Sequence, residues 1–278
     1  MSGKLYICPT PIGNLEDITY RTIRVLNEVD LIAAEDTRHS LRLLNHFDIS
    51  KPLTSYHEHN EDSKGEYLIE KLLNGENIAV ISDAGMPGIS DPGEVIIKKA
   101  IENNIELEVL PGGTAFATAL VGSGMDTRRF VFEGFLDRDK KARRKRLEEI
   151  KEEEKTMIIY ESPHRLKETL KDMLAILGDR KICVNRELTK KYQEIIRENI
   201  STVMDVFEKR GEIKGEFVLI IEGFTGEKSV QSNYDFLNER EYVLKLMEEG
   251  MDKKDAIKKV CKDRKLKKDI VYKQVLDI

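Results

Sequence analysis

Short apolar runs alternate with stretches whose apolar residues fall at helical spacing, and this rhythm constrains the fold more than any other feature of the 278-residue chain. The runs lie at 5–8, 31–34, 78–81, 107–110, 130–133, 157–160, 182–185 and 217–221. Each is too short for a covering helix, and most are rich in Ile, Leu, Val and Ala, the pattern of strands buried on both faces. Between them, segments 19–27, 40–47, 64–73, 94–103 and 165–177 repeat apolar residues every three or four positions and read as helices. Strands and helices in alternation predict α/β layers, and the length suffices for two domains, each with its own core. The small, flexible sequence Gly122-Ser123-Gly124-Met125-Asp126 marks the boundary, giving one α/β domain over 1–123 and a second over 124–224. A polar linker follows, read over 224–234, and then three short helical patterns at 239–249, 253–262 and 268–276, with Gly250 as a helix stop. Residues 225–278 thus read as a linker and a small basic helical module, either helix-turn-helix-like or a tail that packs on a second subunit.

Residues 81–93, directly after one of the runs, place three glycines, two prolines and two aspartates in thirteen positions. Neither helix nor strand tolerates that composition. Glycine and proline fix turns and let backbone approach a ligand, while Asp83, Asp91, Ser82 and Ser90 supply polar groups. A loop at the carboxyl end of a buried strand stands where open α/β sheets bind ligands. Three more loops stand at predicted strand ends: Pro9-Thr10-Pro11-Ile12-Gly13-Asn14, Glu35-Asp36-Thr37-Arg38 and Pro111-Gly112-Gly113-Thr114-Ala115. The last leads into a helix whose amino end presents free N–H groups. Their convergence outlines one site, against the plainer reading of the 81–93 loop as an elaborate surface turn. No GxGxxG follows a strand and no GxxxxGK[ST] occurs, so neither a dinucleotide fingerprint nor a P-loop is present.

Composition narrows the class. The chain is 40% hydrophobic and 35% charged with a mean hydropathy of −0.44, and no apolar run approaches membrane-spanning length. Residues 1–4 lead straight into a strand without a signal-peptide core, so the expectation is a cytoplasmic protein with no membrane association. Cys8, Cys183 and Cys261 form no CxxC pair and are expected to be reduced and buried, with no zinc cage. A net charge of −5 does not advertise a nucleic-acid binder, yet seven of nine residues over 138–146 are basic, and nine basic residues over 253–268 face only Asp255 and Asp263. Either run can be a solvated helix face, and Glu148, Glu149, Glu152, Glu153 and Glu154 stand ready to pair with the first.

Seven segments then occur in one order: residues 9–14, residues 35–38, Tyr56-His57-Glu58-His59-Asn60, residues 83–93, Glu161-Ser162-Pro163-His164-Arg165, Arg186-Glu187-Leu188-Thr189-Lys190, and Gly215-Glu216-Phe217-Val218-Leu219. As an ordered set, running from about residue 5 to 223, they resemble the bacterial small-subunit ribosomal RNA methyltransferase I family, cytidine 2′-O-methyltransferases of the tetrapyrrole methylase superfamily. The resemblance implies two α/β domains of the tetrapyrrole methylase type with a cofactor cleft between them, and a homodimer. It implies S-adenosylmethionine as cofactor and, as substrate, a cytidine ribose in the P site of 16S rRNA within the small ribosomal subunit. By carry-over, Pro9, Asp83, Ala84, Gly85, Met86, Thr114 and Ala115 would line the cofactor pocket, with Glu161 closing it from the second domain. Asp83 either accepts from cofactor hydroxyl or amine donors or holds the glycine loop by accepting backbone N–H bonds. Met86, Gly88, Gly113 and Thr114 stand where related sequences often carry threonine, leucine, proline and serine.

Methyl transfer from a sulfonium to a ribose hydroxyl asks for alignment, exclusion of water and a group that favours deprotonation. Asp36, Glu187 and Lys190 are the candidates for that group. Arg38, Arg165 and Arg186 suit phosphate or carboxylate clamping, and Arg143 and Arg144 are the substrate-binding candidates of the first basic run. The His57-x-His59 spacing invites a metal reading, but no third ligand is evident; base stacking, phosphate contact or a structural polar loop are the other readings. Ser162 and Pro163 also read as an ordinary helix start. Two rival functions keep the fold: methylation of a tetrapyrrole or protein side chain, and a non-catalytic ribosome-assembly factor that binds RNA. The basic runs favour RNA over a macrocycle, which would ask for an apolar groove.

Overall fold

The computed structural model describes residues 2–226, 237–264 and 266–275. Most of the expected linker, Lys265 of the second basic run and the last residue of the third carboxyl-terminal helical pattern lie outside the described residues. The chain forms two compact units, dividing between Phe224 and Thr225.

Within the first unit, β1 (Lys4–Ile7), β2 (Leu31–Ala34), β3 (Leu53–Ser55), β4 (Ile78–Ile81) and β5 (Glu106–Val109) form an all-parallel sheet in the order β3-β2-β4-β1-β5. Helices α1 (Tyr20–Glu28), α2 (Thr37–His46), α3 (Glu61–Leu73) and α4 (Glu94–Glu102) connect these strands, as parallel pairing requires. Caps written in the sequence start two of them: Thr19 accepts the Thr22 N–H at 3.0 Å and Asp36 accepts the Arg38 N–H at 2.8 Å. Both faces of the sheet are buried. Leu5, Ile7, Val80 and Leu68 belong to one core, and Cys8, Leu26, Ile32 and Ile81 to the other.

α5 (Ala115–Ser123) leads to a second sheet, built from β6 (Phe130–Phe135), β7 (Thr156–Glu161), β8 (Lys181–Arg186), β9 (Glu194–Asn199) and β10 (Phe217–Ile221) in the order β6-β7-β10-β8-β9. Only β6 and β7 pair in parallel; the other three pairings are antiparallel. α6 (Lys140–Glu149), α7 (Leu166–Leu177) and α8 (Ile200–Glu208) complete this half. One of its cores takes Leu147, Leu170 and Phe207 from these helices. The other unites Ile12, Ala119 and Leu120 of the first half with Ile158, Val218 and Ile220 of the second. Each buried Ile, Leu or Val of this layer contributes about 1.5–3 kcal/mol, so the shared layer fixes the two sheets in one body.

The second unit is described by itself: α9 (Glu239–Glu248), α10 (Lys253–Asp263) and α11 (Lys268–Gln274) around Tyr242, Leu246, Ile257, Val260 and Val271. A capping box joins Asn238 and Glu241, and the Tyr242 hydroxyl donates to Asp263 at 2.6 Å. Among the described residues no helix is long and apolar enough to cross a membrane. Cys8 and Cys183 are buried, and burial pushes the Cys8 thiol up to about 12, whereas Cys261, expected to be buried, is half-buried.

Candidate active site

The carboxyl ends of β1, β2 and β4 converge, and their loops are bonded to one another. Thr10 and Gly85 exchange backbone bonds of 2.8 and 3.1 Å, and the Thr10 hydroxyl donates to the Ser82 carbonyl at 3.1 Å. Glu35 accepts the Asp83 N–H at 3.3 Å, while Asp83 accepts the Asp36 N–H at 3.1 Å. Asp83 therefore ties its loop to the 35–38 loop through one carboxylate oxygen.

These loops form one wall of a cavity of about 300 Å³. Ile12, Glu35, residues 83–86, 89–91 and 114–116 come from the first half; Phe135, residues 160–163 and 216–218 come from the second. Its chemistry is two-sided. Met86, Phe116, Phe135 and Tyr160 give apolar and aromatic surface, with Phe135 and Tyr160 edge-to-face at 5.5 Å and the Tyr160 hydroxyl accepting the Phe116 N–H at 3.2 Å. Against these stand the carboxyls of Glu35, Asp83, Asp91, Glu161 and Glu216. Burial, reinforced by Glu35, Asp83 and Glu216, pushes Asp91 up to about 7. Burial likewise raises Glu35, against the opposing pull of the Asp83 N–H. Such a cavity favours a ligand carrying positive charge together with flat, apolar surface.

A second cavity of about 500 Å³ is bordered by Thr10, Gly13, His39, Arg42, Leu43 and Lys190. It shares Ile12, Asp83, Ala84 and Glu216 with the first. Lys190 stands where the halves meet: its ammonium lies 2.9 Å from both Glu187 and Glu216. Desolvation, which alone would lower its pKa, is outweighed by those two bonds, so the ammonium is held above its ordinary range. Desolvation of Glu187 is outweighed in turn by Lys190 and the Glu216 N–H, and that carboxyl is lowered. Glu187 and Thr189 adopt positive φ, of 50° and 63°, so this turn is bent tightly around Lys190. Gly13 explains how the first loop reaches it, since a Cβ there would lie 2.5 Å from Lys190 Cγ and 2.9 Å from the Leu188 carbonyl oxygen.

The expected cofactor residues Asp83, Ala84, Gly85, Met86, Thr114, Ala115 and Glu161 all border the first cavity. Glu161 has both oxygens engaged, by the Ser162 N–H at 2.7 Å and the Thr169 hydroxyl at 2.5 Å. Pro9 borders neither cavity: it is buried and sits where a Cβ on Gly112 would be, 2.3 Å from its Cγ. Of the expected proton-handling residues, Lys190 borders the second cavity and Glu187 holds it. Asp36 is the α2 cap, lowered to about 2 by the Arg38 guanidinium and N–H, and is a poor proton acceptor.

The expected substrate residues are more dispersed. The expectation that Arg143 meets RNA does not survive its position: its side chain is 2% exposed and bonded to Asp172 at 2.8 Å, so it presents no free face to a phosphate. Arg144 pairs with the same carboxylate at 2.6 Å. Arg146 is bound to Glu133 and Glu149, at 2.8 and 3.1 Å, and much of the first basic run is thereby spent on structure. Arg165 clasps the Leu136 and Asp137 carbonyls at 2.6 and 3.0 Å, and Arg186 donates to the Lys214 carbonyl at 2.7 Å. Arg38 is exposed beside Asp36, His59 is exposed, and His57 is braced by Asn60, which accepts its backbone N–H at 2.9 Å. Among the described residues no group of three or more His, Cys, Asp or Glu side chains is placed to hold a metal ion.

Sequence reasoning named Asp91 only as a polar group of the 81–93 loop and did not name Glu35, Glu216, Tyr160, Phe116 or Phe135 as site residues. Asp91, Glu35 and Glu216 sit inside segments already singled out, and membership of those segments was the available signal. The aromatic residues carried none, because their role depends on where the second sheet meets the first.

Two α/β halves with a ligand cleft walled by strand-end loops define a class, and comparison with known proteins says which. Residues 4–204 match the profile of the Tetrapyrrole (Corrin/Porphyrin) Methylases, and the chain belongs to that family. Its relatives within it include proteins named ribosomal RNA small subunit methyltransferase I. That of Halalkalibacterium halodurans is 49% identical, covering 97% of this chain and 93% of the relative; that of Bacillus subtilis is 48% identical with the same coverage. The Synechocystis relative is 43% identical over 99% of this chain and 98% of its own. Among solved structures, diphthine synthase superposes with a TM-score of 0.60 at 13% identity, covering 80% of this chain and 90% of that one. Uroporphyrin-III-C-methyltransferase of Thermus thermophilus gives 0.57 at 16% identity, covering 79% and 94%. At such identities these two likenesses show the fold alone.

Proposed function

We propose that this chain is an S-adenosylmethionine-dependent methyltransferase that methylates the 2′-hydroxyl of a cytidine ribose in the P site of 16S rRNA, acting in the cytoplasm as a homodimer. The observation that carries the reading is the pair of adjoining cavities, one anionic and aromatic, the other bordered by cationic side chains, sharing Ile12, Asp83, Ala84 and Glu216. The full-length relatives, by name methyltransferases of small-subunit ribosomal RNA, supply the substrate class.

The first cavity fits S-adenosylmethionine chemically. Glu35, Asp83 and Asp91 offer negative charge to a sulfonium and an ammonium, Met86, Phe116 and Tyr160 offer apolar surface to an adenine, and Thr114 and Ala115 offer the backbone of a helix start. When bound, the cofactor supplies an electrophilic methyl group. This chain's part is to hold the acceptor in line and to keep water from the reacting atoms. Lys190, fixed as an ammonium by Glu187 and Glu216, faces the acceptor oxygen and favours its ionised form as the hydroxyl proton passes to solvent.

Lys190→Ala is expected to lower the rate of methyl transfer by about 100-fold, the size of effect that loss of one placed donor produces. Calorimetry should show little change in its cofactor affinity. An unaltered rate would remove Lys190 from the reaction.

The exposed lysines of α10, Lys254, Lys258, Lys259 and Lys262, belong to one side of that helix and suit an RNA partner for the carboxyl-terminal unit.

A further inference from the structure

One face of α2 borders the cleft without serving the core. His39, Arg42 and Leu43 line the second cavity, and His46 lines a third of about 600 Å³. These positions follow the i, i+3, i+4, i+7 rule for a single helical face. Ser40 and Leu44, on the other side, are buried. The same cavities are lined by Thr189, Lys190 and Lys191 of the second half and by Gly13 and Asn14 of the first loop. The two cavities share Gly13, Leu15 and Lys190, which makes them one groove leading outward from the anionic cavity.

The distribution of charge along this groove is graded. Its inner end holds the carboxylates of Asp83 and Glu216; farther out come His39, Arg42, His46 and Lys191, with Glu16 as the outer carboxylate. Arg42 differs from the arginines that the sequence singled out. Arg143, Arg165 and Arg186 are committed to carboxylates or carbonyls, whereas Arg42 is exposed and, among the described residues, makes no side-chain hydrogen bond or ion pair. A free guanidinium at a groove wall is a ready phosphate fork.

We infer that this groove between α2 and the 189–191 turn holds single-stranded RNA flanking the acceptor nucleotide, with Arg42 and His39 on backbone phosphates and the acceptor ribose at the wall shared with the first cavity. This rests on the RNA-methylating reading. A nucleotide in a duplex cannot reach that wall, so the acceptor enters unstacked from its neighbours.

The test is equilibrium binding of small ribosomal subunits that lack the modification, followed over a salt series without turnover, for the wild-type chain and for Arg42→Ala and Arg42→Lys. Arg42→Ala should weaken binding by roughly 10-fold. The slope of log affinity against log salt should fall by about 0.7–0.9, the value for one lost phosphate contact. Arg42→Lys should restore most of the slope, and cofactor affinity measured by calorimetry should be the same in all three. Wild-type affinity and slope in Arg42→Ala would overturn the inference, as would a matching loss of cofactor affinity or a wild-type chain that binds no subunits. Arg42-dependent binding with no methyl transfer to the RNA would leave the groove standing and overturn the methylating reading instead.

Discussion

Asp91 shares the first cavity with Glu35, Asp83 and Glu216, and its burial among them lifts its pKa from an ordinary 3.8 to about 7. A folded-state pKa above the unfolded one means that the folded chain keeps a proton that the unfolded chain releases. This contribution to stability is complete below the unfolded value, and is lost as pH climbs through the folded one. Asp91→Asn is therefore expected to melt higher than the wild-type chain at pH 8 and to gain little at pH 4; melting curves at the two values check it. A cationic ligand favours the ionised form, so binding of S-adenosylmethionine near neutral pH should release protons in the wild type and fewer in Asp91→Asn, as read by calorimetry in buffers of different ionisation enthalpy. Asp83 is the other carboxylate proposed to hold the cofactor. Asp83→Ala should weaken cofactor binding by about 10–100-fold, the worth of a charged hydrogen bond, while circular dichroism shows the fold retained. Undiminished affinity would remove Asp83 from the pocket.

Among the elements, α6 is an anchor. Arg143 and Arg144 both hold Asp172 of α7, and breaking a buried pair of this kind costs about 3–5 kcal/mol, so Arg143→Ala should lower the denaturation midpoint while leaving the salt dependence of RNA binding unchanged. Gly13→Ala should loosen the seam between the first loop and the 187–190 turn, because its Cβ would meet Lys190 Cγ and the Leu188 carbonyl; lower methyl transfer with a smaller change in melting temperature is the expected result. The strands at 31–34, 78–81 and 217–221 were legible residue for residue, because each is a wholly buried apolar run. β3 and β9 were not. They are edge strands, partly buried or polar, and their pairing is decided by neighbours distant in sequence. The site loops were legible because glycine and proline mark turns wherever they stand. The fate of the basic run was not, since the sequence displays the charge of Arg143 and not its partner 29 positions away. The face of α2 escaped notice for a similar reason: His39 and Arg42 carry ordinary helical spacing, and only the fold shows what they border.

At the scale of the whole molecule, the cores of the two α/β halves are built, among the described residues, from residues up to Ile221, and the carboxyl-terminal helices have a core of their own. A chain ending at residue 224 is expected to fold and to bind S-adenosylmethionine with the affinity of the full chain, and to lose affinity for small subunits as the lysines of α10 are removed; calorimetry and subunit binding separate the two effects. In the proposed reaction the paired cavities carry out methyl transfer to a ribose of small-subunit RNA. Its most direct test is nucleoside mass spectrometry on small ribosomal subunits and on free 16S rRNA, both from cells lacking the modification, after incubation with the protein and isotopically labelled S-adenosylmethionine. Label is expected in 2′-O-methylcytidine at one site, strongly reduced in Lys190→Ala and Asp83→Ala. Cofactor binding without labelled RNA, or label on a base instead of a ribose, would contradict it.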